Sequence, residues 1–175
     1  MIGKKAKDPI VQMGAPVLRE RTLPVPKKDF GSAKLATVIK KMRTALKPEK
    51  YGVAIAAPQI DVSLRLFVVA GRVFAELEAE EGEAKKLLDK VFINPEIIRM
   101  SRQKRDESEG CLSVRNIYGT VPRHIKVTLK AQDETGKTVT YHASGLLAQI
   151  FQHEVDHLSG ILFVDKAKNL HESSK

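Results

Sequence analysis

One short stretch limits this chain's architecture more than any other: Gln152-His153-Glu154-Val155-Asp156-His157, lying between a helix-start signal, Ser144-Gly145, and a helix-stop signal, Ser159-Gly160. In a helix, positions i and i+4 project from one face, so both imidazoles converge on a point where a single metal ion would sit, with Glu154 beside them as a general base. Two ligands are incomplete. A catalytic zinc-type site takes three protein ligands and keeps one position open for water, so a third group has to come from elsewhere in the chain. The chain holds one cysteine, Cys111, in Glu109-Gly110-Cys111-Leu112-Ser113. As a thiolate it is the natural third ligand, although a lone Cys between apolar neighbours is also a common small buried hydrophobe. The residues alone leave both roles open. His124, His142 and His171 lack partners at ligand spacing and are assigned no metal role.

The elements leading up to this helix define the fold class. Residues 1–30 carry four prolines, at 9, 16, 24 and 26, and no sustained period, so irregular backbone over the surface is expected. From Ser32, a candidate N-cap, Leu35, Val38, Ile39, Met42 and Leu46 recur at helical steps, with Pro48 beyond the end. Residues 64–69 and 90–94 read as strands. Residues 125–131 and 138–143 alternate about the Asp133-Glu134-Thr135-Gly136 turn and read as a hairpin. Strands first and a helix last predict an α+β fold, with mixed or antiparallel sheets packed around the C-terminal helix. The length of 175 residues suits one domain, in which the glutamate-rich stretch 75–89 is expected to be an exposed acidic insertion and 166–175 a short tail.

Composition excludes several classes. No apolar run approaches the ~20 residues of a membrane span, and the N-terminus shows no apolar signal region, so a cytoplasmic protein is expected. A single cysteine excludes an intramolecular disulfide framework. Residues 1–50 hold 13 Lys and Arg against 4 Asp and Glu, whereas the remainder is balanced, so the formal charge of +9 belongs to the N-terminal part. An anionic partner there is one reading, and scattered solvated lysines the other.

A further segment, Gly52-Val53-Ala54-Ile55-Ala56-Ala57-Pro58-Gln59, combines small residues that permit close backbone approach with a glutamine amide. Together with Glu109-Gly110-Cys111-Leu112-Ser113 and the HExxH helix, it resembles the three signature motifs of the peptide deformylases in order and spacing. Gly14-Ala15-Pro16-Val17-Leu18-Arg19 resembles the family's N-terminal segment. The resemblance implies a hydrolase that removes the formyl group from the N-terminal formylmethionine of new proteins, in the cytoplasm or an organelle. It further implies metal ligation by Cys111, His153 and His157, acid/base work by Glu154, and oxyanion donors from the Gln59 side chain and the Leu112 N–H.

The metal implied is one divalent ion, Fe2+ foremost, with Zn2+, Ni2+ or Co2+ as substitutes. Leu146, Gln149 and Ile150 share the helix face of His153. Leu146 and Ile150 are therefore expected to flank the methionine side chain opposite Val53, with Gly52 and Ala54 lying along the peptide. Asp156 and Glu109 are candidates for orienting a histidine or holding a loop. Ala54 replaces a glycine of the family pattern, and its methyl is expected to penalise a positive φ and to crowd the substrate. The ten residues after Asp165 are too few for a long ribosome-binding helix, which leaves the basic N-terminal part for any ribosome contact. The competing readings are an HExxH peptidase and a non-enzymatic ribosome- or RNA-binding derivative.

Overall fold

The computed structural model describes residues 8–78 and 88–173. It is an α+β arrangement of two antiparallel sheets and three helices. Helix α1 (Ala33–Leu46) starts at Ser32, whose side chain accepts from the Leu35 N–H, and buries Leu35, Ile39, Met42 and Leu46 as the period predicts. The strands β1 (Ala54–Ala56), β2 (Leu66–Val69) and β3 (Lys90–Met100) are followed by β6 (Lys126–Gln132) and β7 (Thr138–Ser144), in the spatial order β1-β2-β3-β6-β7. The second sheet has the order β4-β5-β8, from β4 (Lys104–Cys111), β5 (Val114–His124) and β8 (Lys168–Glu172). Every pair in both sheets is antiparallel.

Helix α3 (Gly145–His157) connects the two sheets through adjoining parts of its buried surface. One face sends Leu147, Ala148 and Phe151 into the core of the larger sheet, where Phe151 meets Phe92 edge-on at 5.1 Å and lies 6.0 Å from Phe67. Aromatic contacts of this kind fix relative orientation as well as burying area. Beside these residues Gln152 ties the helix to β5: its amide accepts from the His124 N–H and donates to the His124 carbonyl, both at 2.9 Å. The helix ends where Gly160 takes φ +74, and a side chain there would meet the Arg19 carbonyl at 2.5 Å. Glycine is therefore required at this turn.

Three expectations change. Strand β3 runs beyond 94 because Pro95, which has no N–H, falls where the register shifts between Ile93 and Glu96, and Asn94 takes φ 50. The acidic stretch begins as the end of helix α2 (Gly71–Glu78), which is anchored by buried Val73 and Phe74. Asp89 closes the other end of that stretch by accepting from the Gly71 N–H at 2.9 Å, and residues 79–87 lie outside the described residues. The tail supplies β8, an exposed edge strand on β5.

Candidate metal centre

Cys111, the last residue of β4, lies beside the polar face of α3. Its Sγ is 3.2 Å from His157 Nε2, and single donor atoms of Cys111, His153 and His157 all fall within 4.8 Å of one another. The β4–β5 register shifts between Gly110 and Cys111, the kind of irregularity that re-aims a side chain beside a site. The Ser113 N–H points at Sγ from 3.4 Å and Gln59 Nε2 from 3.6 Å. Burial pushes the thiol up, but the electrostatic interaction with the neighbouring His157 and hydrogen bonds from both histidines outweigh this and hold Cys111 at about 5. A sulfur surrounded by donors is suited to the anionic form that a metal requires.

Behind the cluster, a buried ionic chain orients the histidine. His153 Nδ1 donates to Glu109 Oε2 at 3.0 Å, which leaves Nε2 for the cluster. Arg123 is 4% exposed and grips both Glu109 oxygens, at 2.7 and 2.9 Å, while a third nitrogen reaches Asp156 at 2.6 Å. Lys166 covers Asp156 from outside at 2.7 Å. Burial raises the Glu109 carboxyl, yet hydrogen bonds from Arg123 and His153 bring it down to about 2. For His153 the order is similar: burial opposes its charge, and the bonds to Cys111 and Glu109 override it, so its affinity for a proton is well above the ordinary value. Glu109 thus orients His153 as expected. Asp156 instead holds Arg123, because it faces β5 and not the imidazoles. Arg123 itself is invisible to motif reading, since the β4–β5 register sets it opposite Arg105 and Glu109 opposite Gly119, and only the length of its side chain, lying along the sheet, brings its guanidinium to Glu109.

Glu154 is buried, and one of its oxygens, Oε2, has no hydrogen-bond partner; His157 Nδ1 is likewise buried and unpartnered. Burial shifts the Glu154 carboxyl upward, toward the range of a working proton acceptor. Gln59 is also buried, held in the turn Ala57–Ile60 by the Ala56 N–H donating to its carbonyl at 2.8 Å. That bond turns the amide N–H groups toward Ser113 Oγ, at 3.2 Å, and Cys111 Sγ. His124, His142 and His171 hydrogen-bond elsewhere, to Ser101, Thr128 and Asn169.

A cavity of about 510 Å³ opens over the cluster. Gly52, Val53, Ala54, Leu112, Leu146 and Ile150 all line it, together with Gln59, Cys111, His153 and Glu154. Ile150 is also part of the core and is 4% exposed, whereas Leu146 is 43% exposed. Ala54 is in an extended strand paired with Val69 and is absent from the positive-φ positions, so the expected backbone strain does not arise. Its methyl packs into the core, leaving crowding of the cavity wall as the only remaining effect.

No helix among the described residues is long and apolar enough to cross a membrane. Residues 7–173 match the polypeptide deformylase family. A peptide deformylase from Christiangramia forsetii is 39% identical over 165 residues, covering 93% of this chain and 82% of that protein. One from Carboxydothermus hydrogenoformans is 41% identical over 161 residues, covering 92% and 93%. A Met-ala-ser bound crystal structure of the class I type b peptide deformylase from Acinetobacter baumannii superposes with TM-score 0.77 at 33% identity, covering 90% of this chain and 97% of that one. The motifs, the fold and the cluster at the foot of the cavity agree with these likenesses, and the chain belongs to the polypeptide deformylase family, enzymes that remove the N-formyl group from new peptides.

Proposed function

We propose that Cys111, His153 and His157 hold one divalent metal ion, Fe2+ foremost, and that the chain hydrolyses the formamide of N-formylmethionyl peptides. The observation that carries this is the convergence of one sulfur and two imidazole nitrogens beside a buried glutamate with an unpartnered oxygen. A thiolate with two imidazoles suits Fe2+, Zn2+, Ni2+ or Co2+ and is a poor set for Mg2+ or Ca2+. Bound there, the ion supplies a water made acidic enough to attack at neutral pH and polarises the formyl carbonyl.

The protein's own groups do the rest. Glu154 accepts the proton of the attacking water and passes it to the departing methionine amine. The Gln59 amide, fixed in direction by Ala56, and the Leu112 N–H steady the oxygen on which charge builds. Arg123 and Glu109 keep His153 in one tautomer and one orientation. Leu146, Ile150 and Val53 enclose the methionine side chain, with Gly52 and Ala54 along the peptide.

The relative from Acinetobacter baumannii holds Met-ala-ser, so formyl-Met-Ala-Ser is the natural probe. Metal-replete protein prepared without air should release formate from it, and Glu154→Ala should not. No formate from the wild type, or cleavage of unformylated peptides at internal bonds, would overturn the proposal in favour of a silent relative or an HExxH peptidase respectively.

A further inference from the structure

The excess charge of the chain lies in residues 1–50, yet the structure concentrates free cations elsewhere. The β3–β4 turn and the strand ends that flank it expose Arg99, Arg102, Lys104 and Arg105 within seven residues. Lys126, the first residue of β6, is exposed beside them, since its carbonyl accepts from the Ser101 N–H. Among the described residues, Arg99, Arg102, Lys104 and Lys126 make no ion pair, and only Arg105 is held, by Glu107 at 2.6 Å. Lys104, Arg105 and Lys126 line a groove of about 340 Å³ that includes Gln149, a residue that also lines the cavity over Cys111. The lysines of α1 offer no such concentration: steps of seven place 34 with 41 and 40 with 47, in two rows either side of its buried face.

We propose that the β3–β4 turn with Lys126 is a docking surface for the phosphodiester backbone of RNA. Guanidinium forks match phosphate oxygens, and three of the five cations are arginines. The patch contains no Phe, Tyr or Trp; its exposed apolar side chains are Ile98 and Met100. It therefore lacks both the ring anchors of a membrane interface and the stacking platforms of a base reader, so recognition is of charge and independent of sequence. Seven residue steps along β4 separate Lys104 from Cys111, about 24 Å along an extended strand. The groove meets the cavity wall only at Gln149, so RNA bound at the turn lies next to the cavity while Cys111 stays at the far end of β4, an arrangement suited to a peptide end on a chain still attached to an RNA-rich particle.

The test is fluorescence anisotropy of a labelled single-stranded RNA titrated with the whole protein between about 50 and about 200 mM KCl. Four contacted phosphates predict binding about fifty-fold weaker at the higher salt. The R99Q/R102Q/K104Q/K126Q variant, altered only at exposed positions, should lose most of that salt dependence, and K34Q/K40Q/K41Q/K47Q should keep it. Formate release from free formyl-Met-Ala-Ser should be unchanged in both, which separates failure of this surface from failure of the chemistry. Equal loss in the two variants, retained binding in the first, or tighter binding to phosphatidylserine vesicles than to RNA would overturn the assignment.

Discussion

Replacing Arg123 with Met removes the one group that neutralises Glu109 from behind while keeping the volume of the side chain. Glu109 would stay buried, with only the imidazole of His153 to compensate it. The gap between its ordinary value of 4.5 and about 2, at ~1.4 kcal/mol per pH unit, corresponds to ~3 kcal/mol of folding stability at neutral pH. Breaking one side of a buried ion pair independently leads to a loss of about 3 to 5 kcal/mol. Against a typical domain stability of about 5–15 kcal/mol this is large.

The sign also follows. A depressed carboxyl stabilises above its unfolded value and loses that contribution as pH falls from about 4.5 to about 2. Urea denaturation of the metal-free Arg123→Met protein should therefore show a loss of about 3 kcal/mol at pH 7 and a flatter decline on acidification. The double variant with Glu109→Gln should recover part of the loss, since the stranded charge is gone. A loss below about 1 kcal/mol, or an acid limb as steep as the wild type's, would refute the reasoning.

Other outcomes follow from the same geometry. Glu154→Gln should retain metal, measured by elemental analysis, while formate release falls by at least ~100-fold. Gln59→Leu should lower the rate by about 100-fold through loss of one oxygen-steadying donor, with a smaller effect on KM. Leu146→Ala, at a 43% exposed position, should raise KM for formyl-Met peptides with stability changed by less than ~1 kcal/mol, whereas Ile150→Ala, 4% exposed, should also destabilise by about 2–5 kcal/mol in thermal unfolding.

Much of this was legible in the residues, for identifiable reasons. Helical period and caps located α1 and α3, and the i, i+4 spacing placed His153 and His157 together before any coordinates. The hairpin around residues 133–136 followed from alternation and turn chemistry, and Asp133 indeed accepts from the Thr135 and Lys137 N–H groups. What escaped was long-range or locally disguised. Lys104–Cys111 shows no alternation of apolar residues, and its strand character comes from pairing with β5. Gly119 and Pro122 interrupt the β5 pattern, and even the register sets Arg123 opposite Arg105, so its long reach to Glu109 has no local signal. Gln59 lies in a turn, where a glutamine is ordinarily exposed, yet a bond from the Ala56 N–H keeps it buried. Local spacing reports ligands on one helix, whereas the partners that orient them come from strands distant in sequence and from side chains that reach across the sheet.

The central claim is a single ion held by one sulfur and two imidazoles. X-ray absorption at the zinc edge of the stoichiometrically zinc-loaded protein tests it most directly. The account predicts one Zn–S distance near ~2.3 Å with two Zn–N distances of about 2.0–2.1 Å, and disappearance of the sulfur shell in Cys111→Ser. A wild-type spectrum without sulfur, or a sulfur shell that survives that substitution, would contradict it.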